Sequence, residues 1–419
     1  MNEPVRDLCA KLARDAASVK PALRLLPGGE RRDVILSMAS GLRERSAEIL
    51  DANRADLDAG TDLSSALRDR LTLSPARLEA MATAVEQIAR QPDPLGDVVE
   101  GRVLPNGIRL ERRRVPIGVV VVIYESRPNV TSDAAALCFK SGNPVLLRGG
   151  KESARSNLAI ARALRRPLES RGLAHAVQFV ETTDRSAIDE LVKLEGVVDL
   201  AIPRGGPALM RAVVSAARVP VIKHDAGNCH LYIDEHIHGL EDAAERIVVN
   251  AKAQRPGVCN AAETLLVHQR AAESMIPRLC AALERAKVEV RGCERTRRLH
   301  PGARPASDAD WATEYLDLII AVRVVDSLDD ACEHIRSWGS QHTEAIVTAS
   351  LANADRFIAL VESSSVMVNC STRFADGGEY GLGAEIGIST AKLHARGPMG
   401  AADLTTTQWV AVGSGQTRG

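Results

Sequence analysis

The feature that most constrains this fold is a regular alternation of apolar strands and amphipathic helices that begins at Val119. The run VVVVIY is continuously apolar, as expected of a strand buried on both faces of a parallel sheet. A helix is predicted to begin after it, near Thr131-Ser132-Asp133. Further strands, each separated from the next by a helical pattern, are predicted at PVLLR, AVQFVE, VVDLAI and VPVIKH. This alternation predicts a doubly wound parallel sheet, which binds ligands at the carboxyl ends of its strands.

A second set of the same kind occupies the later part of the chain. Strands that alternate with helices are predicted at CHLYID, ETLLVH, LIIAVRVV, EAIVTA and SVMVN. We therefore predict an α/β fold with two doubly wound domains. The predicted boundaries are residues 1–228, residues 229–370 and a C-terminal segment, 371–419, that contains the strand pattern TTTQWVAVG.

The region before Val119 has different patterns. Residues 1–91 show helical spacing of apolar residues, and Ser74-Pro75 is typical of a helix N-cap followed by proline at the first helical position. The segment GRVLPNGIRLERR then predicts a β-hairpin around Pro105-Asn106-Gly107, within residues 100–114. Two interpretations of this hairpin stay open: a flap that reaches another subunit, and an ordinary surface hairpin.

The charge balance gives no reason to expect nucleic acid or a membrane surface as partner. The chain has 419 residues, with 53 Lys+Arg against 54 Asp+Glu and only 3% aromatic residues. The first 20 residues lack the apolar core and cleavage site of a signal peptide. The longest apolar run, VPIGVVVVIY, is shorter than the roughly 20 residues of a membrane helix. We expect a soluble, cytoplasmic protein.

Several stock motifs are rejected on spacing. The eight cysteines are scattered without a C-x-x-C pair, so reduced thiols are expected. GLGAEIG is too wide for a dinucleotide fingerprint, and RGGKES lacks the residues of a P-loop. One cluster of potential ligands matches no common zinc site, so no metal is predicted. Its members are His224, Cys229, His230, His236 and His238.

Cys259 is the residue with the clearest chemical potential. It follows the helix-breaking turn Arg255-Pro256-Gly257 and precedes a predicted core strand, so it could project from a strand end. A thiol needs a lowered pKa or a nearby base to act as a nucleophile, and Arg255 and His224 are candidates for that effect. From these residues alone, a nucleophile and an inert buried thiol both stay open.

Longer segments resemble a known family. AQRPGVCNAAETLLVH is similar to the nucleophile segment of the aldehyde dehydrogenase superfamily, and IPRGG to its turn near the cofactor pyrophosphate. ATEYLDLIIAVRVVDSLDDA resembles its segment near the nicotinamide ribose, which implies that role for Glu314. Four segments resemble the γ-glutamyl phosphate reductase family more narrowly: VIYESRPNVTSDAAALCFKSGNPVLLRGGKES, KHDAGNCHLYID, QRPGVCNAAE and GLGAEIGISTAKLHARGPMG.

The resemblance implies an activity and a division of labour. The activity is the NADPH-dependent reduction of L-glutamyl 5-phosphate to L-glutamate 5-semialdehyde, with release of phosphate, in proline synthesis. Residues 1–228 would bind NADP(H), residues 229–370 would carry catalysis, and residues 371–419 would return to the cofactor domain and the flap. A homo-oligomer and coupling to glutamate 5-kinase are further implications.

Individual roles follow from the same resemblance. Cys259 would attack the acyl phosphate and form a thioester, with its own N–H and a side chain near Ser126 or Asn129 stabilising the oxyanion. Five side chains are candidates for binding the anionic substrate: Arg127, Lys223, His224, Arg255 and Arg373. Six positions are candidates for binding the cofactor: Arg148, Lys151, Pro203, Gly205, Gly206 and Glu314. Of Arg148 and Lys151, one alone is expected to reach a ribose phosphate.

One departure from the hydrolytic members of the superfamily bears on the reaction. They carry a glutamate base in the segment that corresponds to VIKHDAGNC, where this chain has Lys223, His224 and Asp225 instead. Without that base a thioester is protected from water. Asp225 could still act as a base. A CoA-acylating aldehyde dehydrogenase and a non-catalytic superfamily member remain as alternatives.

Overall fold

The computed structural model of the chain describes residues 3–223 and 226–418, apart from the side chains of residues 65 and 66. The helices are α1 (Glu3–Ser18), α2 (Lys20–Leu25), α3 (Gly28–Glu44), α4 (Ser46–Ala59), α5 (Ser65–Leu71), α6 (Pro75–Arg90), α7 (Asn129–Lys140), α8 (Ala154–Glu169), α9 (Ser186–Leu191), α10 (Pro207–Ala216), α11 (Glu241–Ala253), α12 (Gln269–Arg285), α13 (Glu294–Leu299), α14 (Asp308–Trp311), α15 (Leu328–Trp338) and α16 (Leu351–Leu360).

The strands are β1 (Val98–Val103), β2 (Arg109–Pro116), β3 (Val120–Tyr124), β4 (Val145–Arg148), β5 (Val177–Phe179), β6 (Leu200–Arg204), β7 (Cys229–Ile233), β8 (Ala262–His268), β9 (Glu289–Gly292), β10 (Arg304–Pro305), β11 (Ile319–Val325), β12 (Thr343–Val347), β13 (Ser365–Val368), β14 (Ile388–Ser389), β15 (Gly397–Pro398) and β16 (Thr405–Val412).

The chain divides into two compact units. The first comprises residues up to 223 together with 381–387 and 399 onward, and the second comprises the residues between 223 and 381 together with 388–398. The first unit contains a parallel sheet in the order β5-β4-β3-β6 and an antiparallel sheet in the order β1-β2-β16. The predicted hairpin and C-terminal strand are therefore present, and they belong to one sheet.

The second unit is built on a seven-stranded parallel sheet in the order β10-β9-β11-β8-β7-β12-β13. Successive residues of β8 enter different cores: Leu265 and Val267 pack with α11 and α12, whereas Leu266 packs with α15 and α16. Because side chains alternate along a strand, this division shows that helices cover both faces of the sheet. The predicted doubly wound α/β fold is confirmed.

Two local predictions need correction. The helix predicted to begin near Thr131–Asp133 begins at Asn129, because Pro128 already has helical dihedral angles and the Ser132 hydroxyl donates to the Asn129 carbonyl within the first turn. The strand predicted at VPVIKH forms only an isolated bridge between Val221 and Ala201 among the described residues. Pro220 has no N–H to donate, which limits its pairing to its carbonyl.

Other features agree with or extend the sequence analysis. Ser74 caps α6, its hydroxyl accepting from the N–H of Arg77, and Pro75 is the first helical residue. The region from β9 to α14 had no predicted elements. All eight cysteines are described and none is in a disulfide. Within the described ranges, no helix is both long enough and apolar enough to cross a bilayer.

Candidate active site

Cys259 lies on a short loop between α11 and β8. The helix ends at Ala253, and the N–H of Ala261 donates to the carbonyl of Val258 at 3.1 Å, which closes a turn around Cys259 and Asn260. Cys259 is partly exposed, whereas the adjoining strand is buried throughout. The sequence placed Cys259 between a helix-breaking turn and a core strand, and the structure has it there. We call residues 254–261 the nucleophile loop.

The backbone of Cys259 lies against Gly227 with no room for a side chain. A Cβ added at Gly227 would be 2.0 Å from the Cys259 carbonyl oxygen and 2.5 Å from its Cα. The thiol of Cys229 donates to the same carbonyl at 3.1 Å. Burial raises the pKa of Cys229 well above its usual value, so this thiol stays protonated and remains a donor. Gly227 and Cys229 together fix the carbonyl of Cys259.

Glu314 is joined to the same segment. Its Oε1 accepts the N–H of Gly227 at 2.8 Å, and burial raises the pKa of its carboxyl. The side-chain amide of Asn228, the next residue, donates to the backbone carbonyls of Trp311 and Trp338, at 2.8 and 2.7 Å. Gly227 therefore links Glu314, predicted to lie near the cofactor, to the backbone of Cys259.

Arg373 is the cation that the structure anchors at the nucleophile loop. Its Nε donates to Gln254 Oε1 at 2.8 Å, and its Nη1 donates to Asn260 Oδ1. Burial lowers the pKa of Arg373, and the charge of Arg255 also lowers it, whereas a negative charge on Cys259 raises it. Arg255 is exposed. The positive charges of Arg255 and Arg373 therefore interact at this loop.

The other predicted catalytic residues lie in the first unit, after β3. Ser126 is buried and its hydroxyl donates to Glu152 Oε2 at 3.4 Å, whereas Arg127 and Asn129 are exposed. The amide of Asn129 donates to Asp133 Oδ2 at 3.1 Å within the first turn of α7. Burial raises the pKa of Asp133 to about 6. Asn129 is therefore oriented by the helix that it begins.

The β6–α10 turn has the shape and polarity of an anion site. Gly206 precedes α10, and a Cβ built there would meet nothing within 4 Å. Its N–H donates to Glu125 Oε2 at 3.0 Å. At Gly205, in contrast, a Cβ would lie 2.6 Å from the Glu125 Cδ. Because backbone N–H groups at a helix N-terminus attract anions, the carboxylate of Glu125 stands where a phosphate group would be stabilised. The turn fits a cofactor with anionic phosphates.

Arg148 and Lys151 differ sharply in environment. Arg148 is 5% exposed, and its guanidinium donates to the carbonyls of Gly149, Thr183 and Asp184. Lys151 is exposed in the short 3-10 turn after β4. Since β4, β3 and β6 are parallel neighbours, their carboxyl ends lie on one edge of the sheet. Of the two predicted cations, Lys151 is the accessible one at this edge.

The remaining predicted residues are placed as follows. Pro203 is a buried residue of β6, and Lys223 is partly exposed. His224, together with Asp225, lies outside the described residues. The first unit holds Ser126, Arg127, Asn129, Arg148, Lys151, Pro203, Gly205, Gly206 and Lys223, and the second holds Arg255, Cys259, Glu314 and Arg373. Over the described residues, no group of three or more His, Cys, Asp or Glu side chains is arranged to hold a metal ion.

Several residues around the nucleophile loop are not identified by the sequence pattern. The sequence gives no sign of Gly227, and Cys229 was considered only as a possible zinc ligand, because their contacts with Cys259 are distant in sequence. Lys252 and Glu263 form a buried ion pair. The sequence gives one indication of it, because Glu263 is a charged residue inside the apolar strand pattern AETLLVH. A charge in a strand buried on both faces indicates a buried partner.

Comparisons with known proteins identify the family that this chain resembles. A model of the aldehyde dehydrogenase family matches residues 6–301. The γ-glutamyl phosphate reductase of Moorella thermoacetica is 51% identical over 405 residues, which are 95% of this chain and 96% of that protein. The γ-glutamyl phosphate reductase of Geobacter metallireducens is also 51% identical, over 97% of this chain and 98% of that protein.

Solved structures show the same likeness. The structure of γ-glutamyl phosphate reductase from Thermotoga maritima has a TM-score of 0.95 and 43% identity, covering 98% of this chain and 100% of that one. An acetylating aldehyde dehydrogenase from Geobacillus thermoglucosidasius has a TM-score of 0.69 at 17% identity, covering 99% of this chain and 98% of that one. The second likeness is one of fold alone.

The contact between Gly227 and Cys259 predicts a sensitive position. In Gly227→Ala the added methyl must displace the carbonyl of Cys259 and the bonds that hold it. We expect alkylation of Cys259 by iodoacetamide, followed by mass spectrometry of its peptide, to slow by roughly tenfold or more. Gly29→Ala is the control, since a Cβ there meets nothing within 4 Å. A Gly227→Ala protein that reacts at the wild-type rate would show that this contact does not position the thiol.

Proposed function

The chain belongs to the aldehyde dehydrogenase family, and we propose that it reduces L-glutamyl 5-phosphate to L-glutamate 5-semialdehyde with NADPH, releasing phosphate, as a step of proline synthesis. The observation that carries this proposal is 51% identity to γ-glutamyl phosphate reductases over nearly the full length of both chains. The geometry around Cys259 supports the covalent chemistry that such a reduction requires.

In the proposed reaction, Cys259 supplies the nucleophile. Its thiolate attacks the acyl phosphate carbon, a C–S bond forms, and the C–O bond to phosphate breaks, leaving a thioester on Cys259. Nucleophilic catalysis of this kind divides one difficult displacement into two easier steps. We propose that the N–H of Cys259 donates to the oxyanion, because Gly227 packs on the Cα of this residue and restricts its position. The oxyanion roles of Ser126 and Asn129 stay predictions.

The surroundings of Cys259 favour phosphate over water as the acyl acceptor in the reverse direction. The segment VIKHDAGNC contains no glutamate. Two carboxylates of the same unit are already engaged: Glu314 accepts the N–H of Gly227, and Glu263 is ion-paired with Lys252. A general base needs a free oxygen within reach of the water that it activates, and these bonds occupy one oxygen of each carboxylate.

Arginines at the nucleophile loop suit a substrate with several anionic groups. Arg373 is held by Gln254 and Asn260, and Arg255 lies in its electric field. Guanidinium groups bind carboxylates and phosphates through paired hydrogen bonds. We propose that Arg373 and Arg255 bind anionic groups of the substrate. Arg127, Lys223 and His224 stay predictions for the same role.

Members of this family use a nicotinamide cofactor, which when bound donates or accepts a hydride. We propose that the turn of Gly205 and Gly206 holds its phosphates, that Lys151 pairs with the 2′-phosphate of NADP(H), and that Glu314 contacts the nicotinamide ribose. The open space over Gly206 and the exposure of Lys151 support these assignments. Arg148 is engaged by backbone carbonyls, which favours Lys151 as the cation that selects NADP(H).

The antiparallel sheet of the first unit bears on the predicted assembly into a homo-oligomer. The predicted homo-oligomer, with the β1–β2–β16 sheet as its flap, and coupling to glutamate 5-kinase stay predictions. The sheet has exposed apolar residues on β1 and β16, among them Val103 and Trp409. Such residues are typical of interaction surfaces when they lie together.

The proposal is tested in the oxidative direction. Wild-type protein with glutamate 5-semialdehyde and NADP⁺ is expected to form NADPH only when inorganic phosphate is present. Cys259→Ala, with unchanged circular dichroism, is expected to lose about 10³-fold or more of this activity. Equal rates without phosphate would contradict the proposal and indicate hydrolysis. A requirement for coenzyme A would indicate an acylating dehydrogenase, and no turnover at all a non-catalytic member.

The negative charge of Glu125 is predicted to weaken the binding of NADPH. The carboxylate occupies the helix N-terminus proposed to hold the cofactor phosphates, so its charge opposes their binding. Glu125→Gln is expected to lower the Kd for NADPH by roughly fivefold, equivalent to about 1 kcal/mol, when binding is titrated by fluorescence. Weaker binding in this variant would instead mean that the carboxylate helps to build the site.

A further inference from the structure

Lys252 and Glu263 form an ion pair inside the second unit. The Lys252 Nζ lies 2.5 Å from Glu263 Oε2, and both side chains are 0% exposed. Removing two charges from water costs several kcal/mol per ion, and a buried pair is often no more stable than apolar residues of the same volume. A contribution to stability is therefore a weak explanation for a buried ion pair here. The position of the pair in the fold is a better guide to its role.

The pair joins the two ends of the nucleophile loop. Lys252 is in the last turn of α11, which ends at Ala253, and Glu263 is the second residue of β8, which begins at Ala262. The loop that carries Cys259 spans the distance between them. A direct bond from Lys252 to Glu263 thus fixes the separation of the points where the loop leaves the helix and enters the sheet.

The same pair contacts the segment that carries Glu314. The other oxygen of Glu263, Oε1, accepts the N–H of Leu316 at 3.4 Å. The Lys252 ammonium is 5.9 Å from the centre of the Tyr315 ring, within the range of a cation–π contact. Glu314 in turn accepts the N–H of Gly227, which packs on Cys259. The contacts form a closed path from the ion pair through Glu314 and Gly227 back to the loop.

We propose that Lys252 and Glu263 are positioning residues, whose ion pair holds the nucleophile loop in register with Gly227 and the Glu314 segment. Neither residue is assigned contact with substrate or cofactor. The inference rests on the proposed function only in taking Cys259 as the nucleophile. It would hold for any acyl acceptor, because it concerns the placement of the thiol.

The test removes both charges and keeps the buried volume. The double variant Lys252→Met/Glu263→Met leaves no unpaired charge, so it is expected to fold with a Tm close to that of the wild type. Alkylation of Cys259 by iodoacetamide is nevertheless expected to slow by roughly tenfold or more, and kcat for phosphate-dependent NADPH formation to fall by a similar factor with little change in the KM for NADP⁺.

A surface ion pair of the same unit provides the matched control. Arg356 Nη2 and Asp329 Oδ2 are 2.8 Å apart, and both side chains are more than half exposed. The double variant Arg356→Met/Asp329→Met is expected to keep the wild-type alkylation rate and kcat. If the buried double variant does not fold, Glu263→Gln, which has the same shape, replaces it. This variant is expected to lose stability and to show the same slowing of alkylation at a temperature where it is folded.

The results separate the inference from the proposed function. Wild-type alkylation and kcat in a folded variant of Lys252 or Glu263 would overturn the positioning role and leave the pair a structural element. Slow alkylation in the variant would support the positioning role even if the wild-type protein did not use phosphate, which would overturn the proposed reaction alone. Alkylation is read from the Cys259 peptide, so it needs no substrate.

Discussion

The geometry of the second unit depends on one steric constraint, the packing of Gly227 on the backbone of Cys259. A Cβ at Gly227 would be 2.0 Å from the carbonyl oxygen of Cys259, a distance that no side chain tolerates. The N–H of Gly227 is at the same time bonded to Glu314. One glycine therefore fixes the nucleophile loop on one side and a carboxylate on the other. The Cys229 thiol donates to the Cys259 carbonyl in the same loop. The Lys252–Glu263 ion pair joins the two ends of that loop.

The two units place their candidate groups at opposite ends of parallel strands. The first uses the edge at the carboxyl ends of β4 and β6. In the second, Gly227, Cys259 and Glu314 precede β7, β8 and β11, so they lie at the edge formed by the amino ends of these strands. In the first unit this edge presents the Gly205–Gly206 turn and Lys151, which suit anionic phosphates. In the second it presents a partly exposed thiol with arginines beside it. The proposed reaction needs one site of each kind, since a phosphate-bearing cofactor would transfer a hydride to an acyl group held covalently on a thiol.

Much of this could be predicted from the sequence because it depends on local patterns. Continuous apolar runs such as VVVVIY and ETLLVH marked the buried strands, and the Arg255-Pro256-Gly257 turn placed Cys259 at a strand end. The features that the sequence does not reveal depend on tertiary contacts. Arg148 was expected at a strand end, where it is, but three backbone carbonyls enclose its guanidinium. Gly227 and Cys229 act through contacts with Cys259, far along the chain, which no periodicity reveals.

The proposed reaction depends on Cys259 carrying the acyl group. The most direct measurement incubates the protein with glutamate 5-semialdehyde and NADP⁺ without phosphate, quenches in acid, and maps adducts by mass spectrometry of peptides. If Cys259 is the nucleophile, a glutamyl thioester is expected on the Cys259 peptide, and it is expected to disappear when phosphate is added before the quench. An acyl group on another thiol, Cys229 above all, or turnover with no adduct at Cys259 in any condition, would contradict it.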